Sequence, residues 1–237
     1  EPRGQGRGKE VRKHQRSVWL DDTNTLAGSD ITTSRAATKV KTSLWPDNTY
    51  TSPMMGAYNV NNALAALLVA DTFHIRPAAA QQAIASFVPT ENRTEWLTGY
   101  RGEAILSDVY NSNPTAARRV LAAFAAVPTK GQRLAVLGDM LELGDQSDAL
   151  HMSLASELDP ATIASVYLNG EHMRALAEVL QEKYPAGAVH YYQTDQQPQL
   201  IADLTATVSA DDQVLLKGSH GIHLEKVLTA LEAAPEK

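Results

Sequence analysis

An acid, a phenol and two amides crowd the turn Asp108-Val109-Tyr110-Asn111-Ser112-Asn113-Pro114, directly after the apolar run Ile105-Leu106-Ser107. Asp108, Tyr110 and Asn111 offer a charged acceptor, a hydroxyl and a planar amide. Pro114 presets the first helical φ, and Asn113 can cap it. Ligands gather at such strand ends in open α/β sheets, where the following helix offers free N–H groups. The same pattern also describes a capped turn that binds nothing, and this stretch alone does not choose. Three other stretches carry comparable chemistry. Asn59 and Asn62 stand three apart before the apolar run Ala63–Ala70, so both can face one side of a first helical turn. An amide pair suits the edge of a purine, although N-capping by one of them explains the pattern too. Lys217-Gly218-Ser219-His220-Gly221 sets a cation and a hydroxyl between glycines, a pattern that fits an anion site or a tight turn. Gly138-Asp139-Met140-Leu141-Glu142-Leu143-Gly144 places two more acids in a turn.

These residues need a frame to hold them. Strands are expected at 104–107, 133–137, 165–168, 189–192 and 213–216, each followed by a helix: 114–126, 147–157, 171–183, 198–208 and 224–231. Strands alternating with helices of this length call for right-handed crossovers and a mostly parallel sheet with flanking helices, a Rossmann-like α/β domain. Parallel strands bring their carboxyl ends to one edge, so Asp108, Asp139 and Lys217 would share it. No Gly-x-Gly-x-x-Gly follows the first strand, so a dinucleotide cofactor is not indicated.

Before this alternation lie short Thr/Val-rich pieces near 17–20, 30–34, 39–44 and 49–52, separated by turn residues and read as an antiparallel meander. The region is too short and polar to promise a core of its own. Helices at 63–70 and 77–87 follow, and the polar, proline-bearing segment 88–92 is the expected domain boundary. Residues 1–16 read as loop or disorder. They carry six basic side chains against two acidic ones, while the remainder carries fifteen against twenty-five, within a net charge of −6. That basic arm has no aromatic residue for base stacking and the rest would repel phosphate, so nucleic acid is not an expected partner. No apolar run reaches the length of a membrane span. The absence of cysteine fits a reducing compartment, and a cytoplasmic location is expected.

Taken together, Gly56-Ala57-Tyr58-Asn59-Val60-Asn61-Asn62, Tyr110-Asn111-Ser112-Asn113-Pro114, Gly138-Asp139-Met140-Leu141-Glu142-Leu143-Gly144 with His151, and Lys217-Gly218-Ser219 resemble the Mur ligases of peptidoglycan synthesis. The second and third forms point to the MurF branch. The resemblance implies an ATP- and Mg2+-dependent ligase with UDP-N-acetylmuramoyl-tripeptide and D-alanyl-D-alanine as substrates, joined through an acyl phosphate, and a monomer. It implies nucleotide contacts at Asn59, Asn62, Arg93, Asp108, Tyr110 and Asn111, and contacts to the dipeptide or acyl centre at Asp139, Glu142, Lys217 and Ser219. His151 is read as a structural partner of its turn. The family's phosphate loop, Gly-x-x-x-x-Gly-Lys-Ser/Thr, does not occur in these residues, and the family's magnesium ligands would lie upstream. The resemblance therefore implies the β-rich and helical tail of a central ATPase domain over 1–88 and the C-terminal Mur ligase domain over 89–237. These residues alone are then expected to be inactive. Tyr58 and His220 depart from the histidine and arginine frequent at their positions. Rival readings are another amide ligase of the superfamily (MurE, cyanophycin synthetase or folylpolyglutamate synthase) and a non-catalytic nucleotide- or partner-binding module. Removal of Asp108 is expected to spare the fold, because an acid at a strand end supports little packing.

Overall fold

The computed structural model describes residues 18–19, 26–88 and 93–233. The loop expected over 1–16 and most of the boundary expected over 88–92 lie outside them.

The first sheet runs in the order β1 (Val18–Trp19), β2 (Leu26–Thr33), β3 (Thr38–Thr42), β4 (Thr49–Ser52). β2, β3 and β4 pair antiparallel as a meander, whereas β1 lies parallel to β2. The meander shares a small core with the two helices that follow it. Leu26, Val40 and Tyr50 from the sheet meet Val60, Leu64 and Leu67 of α1 (Val60–Thr72) and Ala80 of α2 (Pro77–Ala85). The sheet could not supply this alone. Its alternate residues bury only small or single apolar groups, and the apolar middle of α1 provides the second layer.

The second sheet comprises β5 (Glu95–Thr98), β6 (Ala104–Asp108), β7 (Arg133–Gly138), β8 (Ser165–Asn169), β9 (Val189–Tyr192) and β10 (Gln213–Lys217), in the order β5-β6-β10-β7-β8-β9. All pairs are parallel except β5 with β6. The antiparallel edge strand β5 was not expected; its Glu-Trp-Leu-Thr has no alternating apolar pattern. Period-two alternation splits the sheet between two cores. Leu106, Ala135, Leu137, Val166, Leu168 and Leu215 pack under α3 (Pro114–Ala126), α5 (Met173–Lys183) and Leu154 just after the short α4 (Ser147–Met152). Ile105, Leu134, Val136, Tyr167, Val214 and Leu216 face α6 (Gln197–Thr207) and α7 (Glu225–Glu232). Each fully buried Leu or Val contributes roughly 1.5–3 kcal/mol, so this three-layer core fixes the strand ends firmly. The helix expected over 147–157 is shorter: α4 stops at Met152 and tightens into a 3-10 turn, Ser153–Ser156.

The two sheets are joined by specific contacts. Met55 is buried in the core beneath α3, and Trp96 Nε1 donates to its sulfur at 3.2 Å. Arg35, in the β2–β3 turn, lies 5.0 Å from the centre of the Trp96 ring.

Candidate functional site

Strand order decides which polar residues meet. The chain steps outward from β6 to β7, β8 and β9, then returns β10 between β6 and β7. The carboxyl ends of β6, β10 and β7 are therefore neighbours, with Lys217 in register with Asp108 on one side and Leu137 on the other. The expectation of three polar strand ends on one edge holds.

The central strand end is closed by its own residues. Lys217 is 2% exposed. Its ammonium lies 3.3 Å from the Asp108 carboxylate, donates to Asp108 O at 3.2 Å, and donates also to Asn111 O. Three donors meet three acceptors, so the lysine pins the turn after β6 to the end of β10. Burial lowers the Lys217 pKa while Asp108 pulls it back; burial raises that of Asp108 while Lys217 opposes it. Asn113 Oδ1 accepts from Ala116 N at 2.9 Å and caps α3, as its sequence position suggests.

The end of β7 is equally self-contained. Asp139 is buried and accepts from the N–H groups of His172 and Met173 at 3.2 and 2.9 Å, so it caps α5. Gly170 at φ 134° allows this, because a Cβ there would lie 2.3 Å from the carboxyl carbon. Ser219 Oγ accepts from Leu141 N at 3.0 Å, and Ser219 N donates to Asp139 O at 3.1 Å. His151, fully buried, accepts from Met140 N at 2.8 Å and reaches Ser147 O at 2.7 Å through Nδ1. It has the structural role its position suggested. Glu142 is the exception: it is exposed at φ 64°.

A different situation holds beside β6, where the two sheets meet. A cleft of about 610 Å3 is walled by Ala63, Ala66, Ile84 and Phe87 and edged by Asn59, Asn62, Arg93 and Tyr110. Asn59 Nδ2 donates to Met55 O at 2.8 Å and Asn62 Nδ2 to Asn59 Oδ1 at 3.3 Å, so the pair does share one side of the turn. The capping alternative fails for Asn59, which precedes α1 without a side-chain bond to its N–H groups. Among the described residues Asn62 Oδ1 accepts no hydrogen bond, and the Arg93 guanidinium makes none, resting 4.3 Å above the Tyr110 ring. Tyr110 is 48% exposed and Asn111 is exposed. Four of the six expected nucleotide residues thus converge on the cleft; Asp108 and Asn111 stand behind Tyr110, at the lysine.

Thr94 joins the two walls of the cleft. This β-branched residue sits at φ 50°, a conformation costing of order 1–3 kcal/mol. Tyr58, from the turn before α1, directs its hydroxyl to Thr94 Oγ1 at 3.5 Å, and the Thr94 N–H helps lower the Asp108 carboxyl, against the rise that burial causes. Burial above all pushes the Tyr58 pKa up to about 12. No sequence signal marks Thr94; strain belongs to the backbone, not to residue type. Among the described residues no three His, Asp or Glu side chains converge on a point that would hold a metal ion, and no helix is long and apolar enough to cross a membrane.

Comparison with known proteins places this geometry in context. A family model described as Mur ligase, glutamate ligase domain, matches residues 92–220. A UDP-N-acetylmuramoyl-tripeptide–D-alanyl-D-alanine ligase of Bacillus subtilis is 29% identical over 189 residues, which is 80% of this chain and 41% of that protein. The Escherichia coli ligase of the same name is 27% identical over 189 residues, 76% of this chain and 38% of that one. The chain thus spans about two fifths of the length of these curated relatives. In structure it is similar to MurF from Acinetobacter baumannii (TM-score 0.74, 20% identity, 90% of this chain and 46% of that one). It is also similar to a Thermotoga maritima MurF ligase in complex with ADP (TM-score 0.68, 24% identity, 88% and 46%). At these identities the structural likeness is one of fold.

Proposed function

This chain belongs to the Mur ligase family, and from that premise we propose that it forms part of an ATP-dependent ligase of the MurF branch, adding D-alanyl-D-alanine to UDP-N-acetylmuramoyl-tripeptide. The observation that carries the proposal is the cleft, where Asn62, Arg93 and Tyr110 converge beside the bonded amide of Asn59 with hydrogen-bonding capacity unspent. Its apolar wall and amide edge suit a flat purine, Asn62 Oδ1 being aligned for an exocyclic amine. Arg93 supplies the cation for an anionic group and Tyr110 the face beneath it. Asp108 and Asn111 act at one remove, through the turn that Lys217 anchors. Bound ATP supplies the phosphoryl group that activates the peptide carboxylate; this chain's residues bind and orient it. Glu142, exposed on the same edge, is the candidate contact for the incoming amine, with Asp139, Lys217 and Ser219 shaping the loop behind it. The same reading divides the chain at 89, makes 1–88 the end of a central ATPase domain, and gives a cytoplasmic monomer whose Mg2+ is held by residues outside those described.

The rival superfamily ligases share the fold: folylpolyglutamate synthase structures align at TM-scores near 0.6. The curated relatives favour the D-alanyl-D-alanine branch. Titration of the chain with ADP and with UDP, followed by amide resonances, tests the purine site. Selective shifts at Asn62, Arg93 and Tyr110 with ADP are expected. Equal response to both nucleotides, or shifts confined elsewhere, defeats the proposal. Mixed with ATP and both substrates, the 237 residues alone are expected to release no phosphate.

A further inference from the structure

Between the cleft and the Lys217 pin lies a connection that neither the family reading nor packing requires. We propose that Thr94 is a positioning residue that ties the two walls of the cleft together and aims Arg93 at the ligand's anionic group; this rests on the nucleotide reading above. Glu95 is fixed by pairing with Ser107 as β5 begins, so the left-handed turn at Thr94 alone sets the direction of residue 93. That turn is held from both sides. Tyr58 reaches Oγ1 at 3.5 Å from the segment that carries Asn59, and on the opposite wall the nearby Thr94 N–H helps lower the Asp108 carboxyl against the rise that burial causes. Asp108 is in turn fixed by Lys217 at 3.3 Å.

Tyr58 can occupy this place because Gly56, at φ 93°, leaves it room: a Cβ on Gly56 would lie 2.5 Å from the ring. Asn59, Tyr58, Thr94, Asp108 and Lys217 thus form one chain of contacts from the amide edge of the cleft to the centre of the second sheet. Glycine would adopt the Thr94 conformation without strain. Threonine is costly there, and what it adds is the hydroxyl that Tyr58 meets and the stiffness that keeps Arg93 over Tyr110 at 4.3 Å.

The test compares Thr94→Gly and Thr94→Ser in the full 237-residue chain, reading ADP affinity and melting temperature together. Thr94→Gly relieves strain and loosens Arg93. It is expected to leave the melting temperature within about 3 °C of the parent while weakening ADP binding about tenfold, the loss for one misplaced charge-assisted contact. Thr94→Ser keeps the hydroxyl and is expected to retain affinity within about threefold. Parent-like ADP binding in Thr94→Gly overturns the inference and leaves the nucleotide reading standing, as does equal weakening in both variants. A parent chain that takes up no ADP removes the nucleotide reading and this inference with it.

Discussion

Two neighbouring regions of the molecule put polar and charged residues to opposite uses. At the tips of β7 and β10, Asp139, Ser219, His151 and Lys217 are buried, and each polar group is matched within the chain. Beside β6, Asn62, Arg93 and Tyr110 stand exposed around a cleft, with donors and acceptors left over. Unspent hydrogen-bonding capacity separates a binding surface from a scaffold more sharply than chemical type does. A lysine between glycines looks like an anion site in sequence; here its three donors already have acceptors. If the contrast is sound, changes on the spent side should cost stability and changes on the unspent side should cost affinity.

The largest effect is expected at Lys217. Lys217→Met leaves the mostly buried Asp108 carboxylate without its cation, and breaking such a pair costs about 3–5 kcal/mol. A melting temperature lowered by roughly 6 °C or more should result. Unchanged melting with lost nucleotide affinity would move Lys217 to the binding side and break the comparison. Asp108→Ala is next. The ammonium left behind keeps two carbonyl partners and, with its pKa already lowered by burial, can shed its proton. The loss should be smaller, about 2–3 kcal/mol. This reverses the expectation from sequence that the fold would be spared. Replacing both residues together, as Asp108→Leu with Lys217→Met, should recover part of the deficit, since no buried charge is then stranded.

On the cleft side, Asn62→Ala should leave melting within experimental error, because the side chain is exposed and makes one long bond to Asn59. ADP binding should weaken roughly three- to tenfold, the worth of about 0.5–1.5 kcal/mol for one hydrogen bond. Calorimetry and thermal melts on the same preparation decide it. Equal loss of both quantities would mean that Asn62 shapes the turn and does not touch a ligand.

How far the sequence could be read follows the same division. The α/β alternation was legible because long periodic helices and Val/Leu runs announce themselves, and the shared edge of Asp108, Asp139 and Lys217 followed from parallel strands. Asn113 as a cap and His151 as a turn partner were legible for local reasons. The edge strand β5 was not, since Glu95–Thr98 pairs through its backbone and shows no pattern. Nor was the core of the meander, which depends on α1 lying across it. The spent state of Lys217 was hidden for a deeper reason. Its partners are carbonyls 106 and 109 residues away, brought there by the insertion of β10 between β6 and β7.

The smallest expected effect, and the finest probe of the spent edge, is a dependence on pH carried by two stacked histidines. His151 and His172 lie with ring centres 5.7 Å apart. Burial holds the His151 pKa below its ordinary value, and its Nε2 must stay unprotonated to accept the Met140 N–H. His172 is raised, first by its bond to Asp148 at 2.7 Å and further by Asp139, Asp148 and Glu171. The signs are opposite. His151 contributes stability above the unfolded value of 6.5 and loses it as pH falls below that value, because the unfolded chain then binds a proton that the folded one refuses. His172 contributes below 6.5 and loses it as pH rises through its raised value. In the parent the two act in adjoining windows, His172 above 6.5 and His151 below it, so stability is expected to peak near that pH. His172 is partly exposed, which keeps its share under about 1 kcal/mol. Removing it, as His172→Gln, should flatten the profile above 6.5 and leave in place the fall of melting temperature below 6.5 that His151 causes. His151→Gln should tilt the profile the other way, because only the His172 contribution remains. Profiles that tilt alike in both variants would mean that the ring buried at the end of β7 stays neutral for no structural reason, and that this edge has capacity to spare after all.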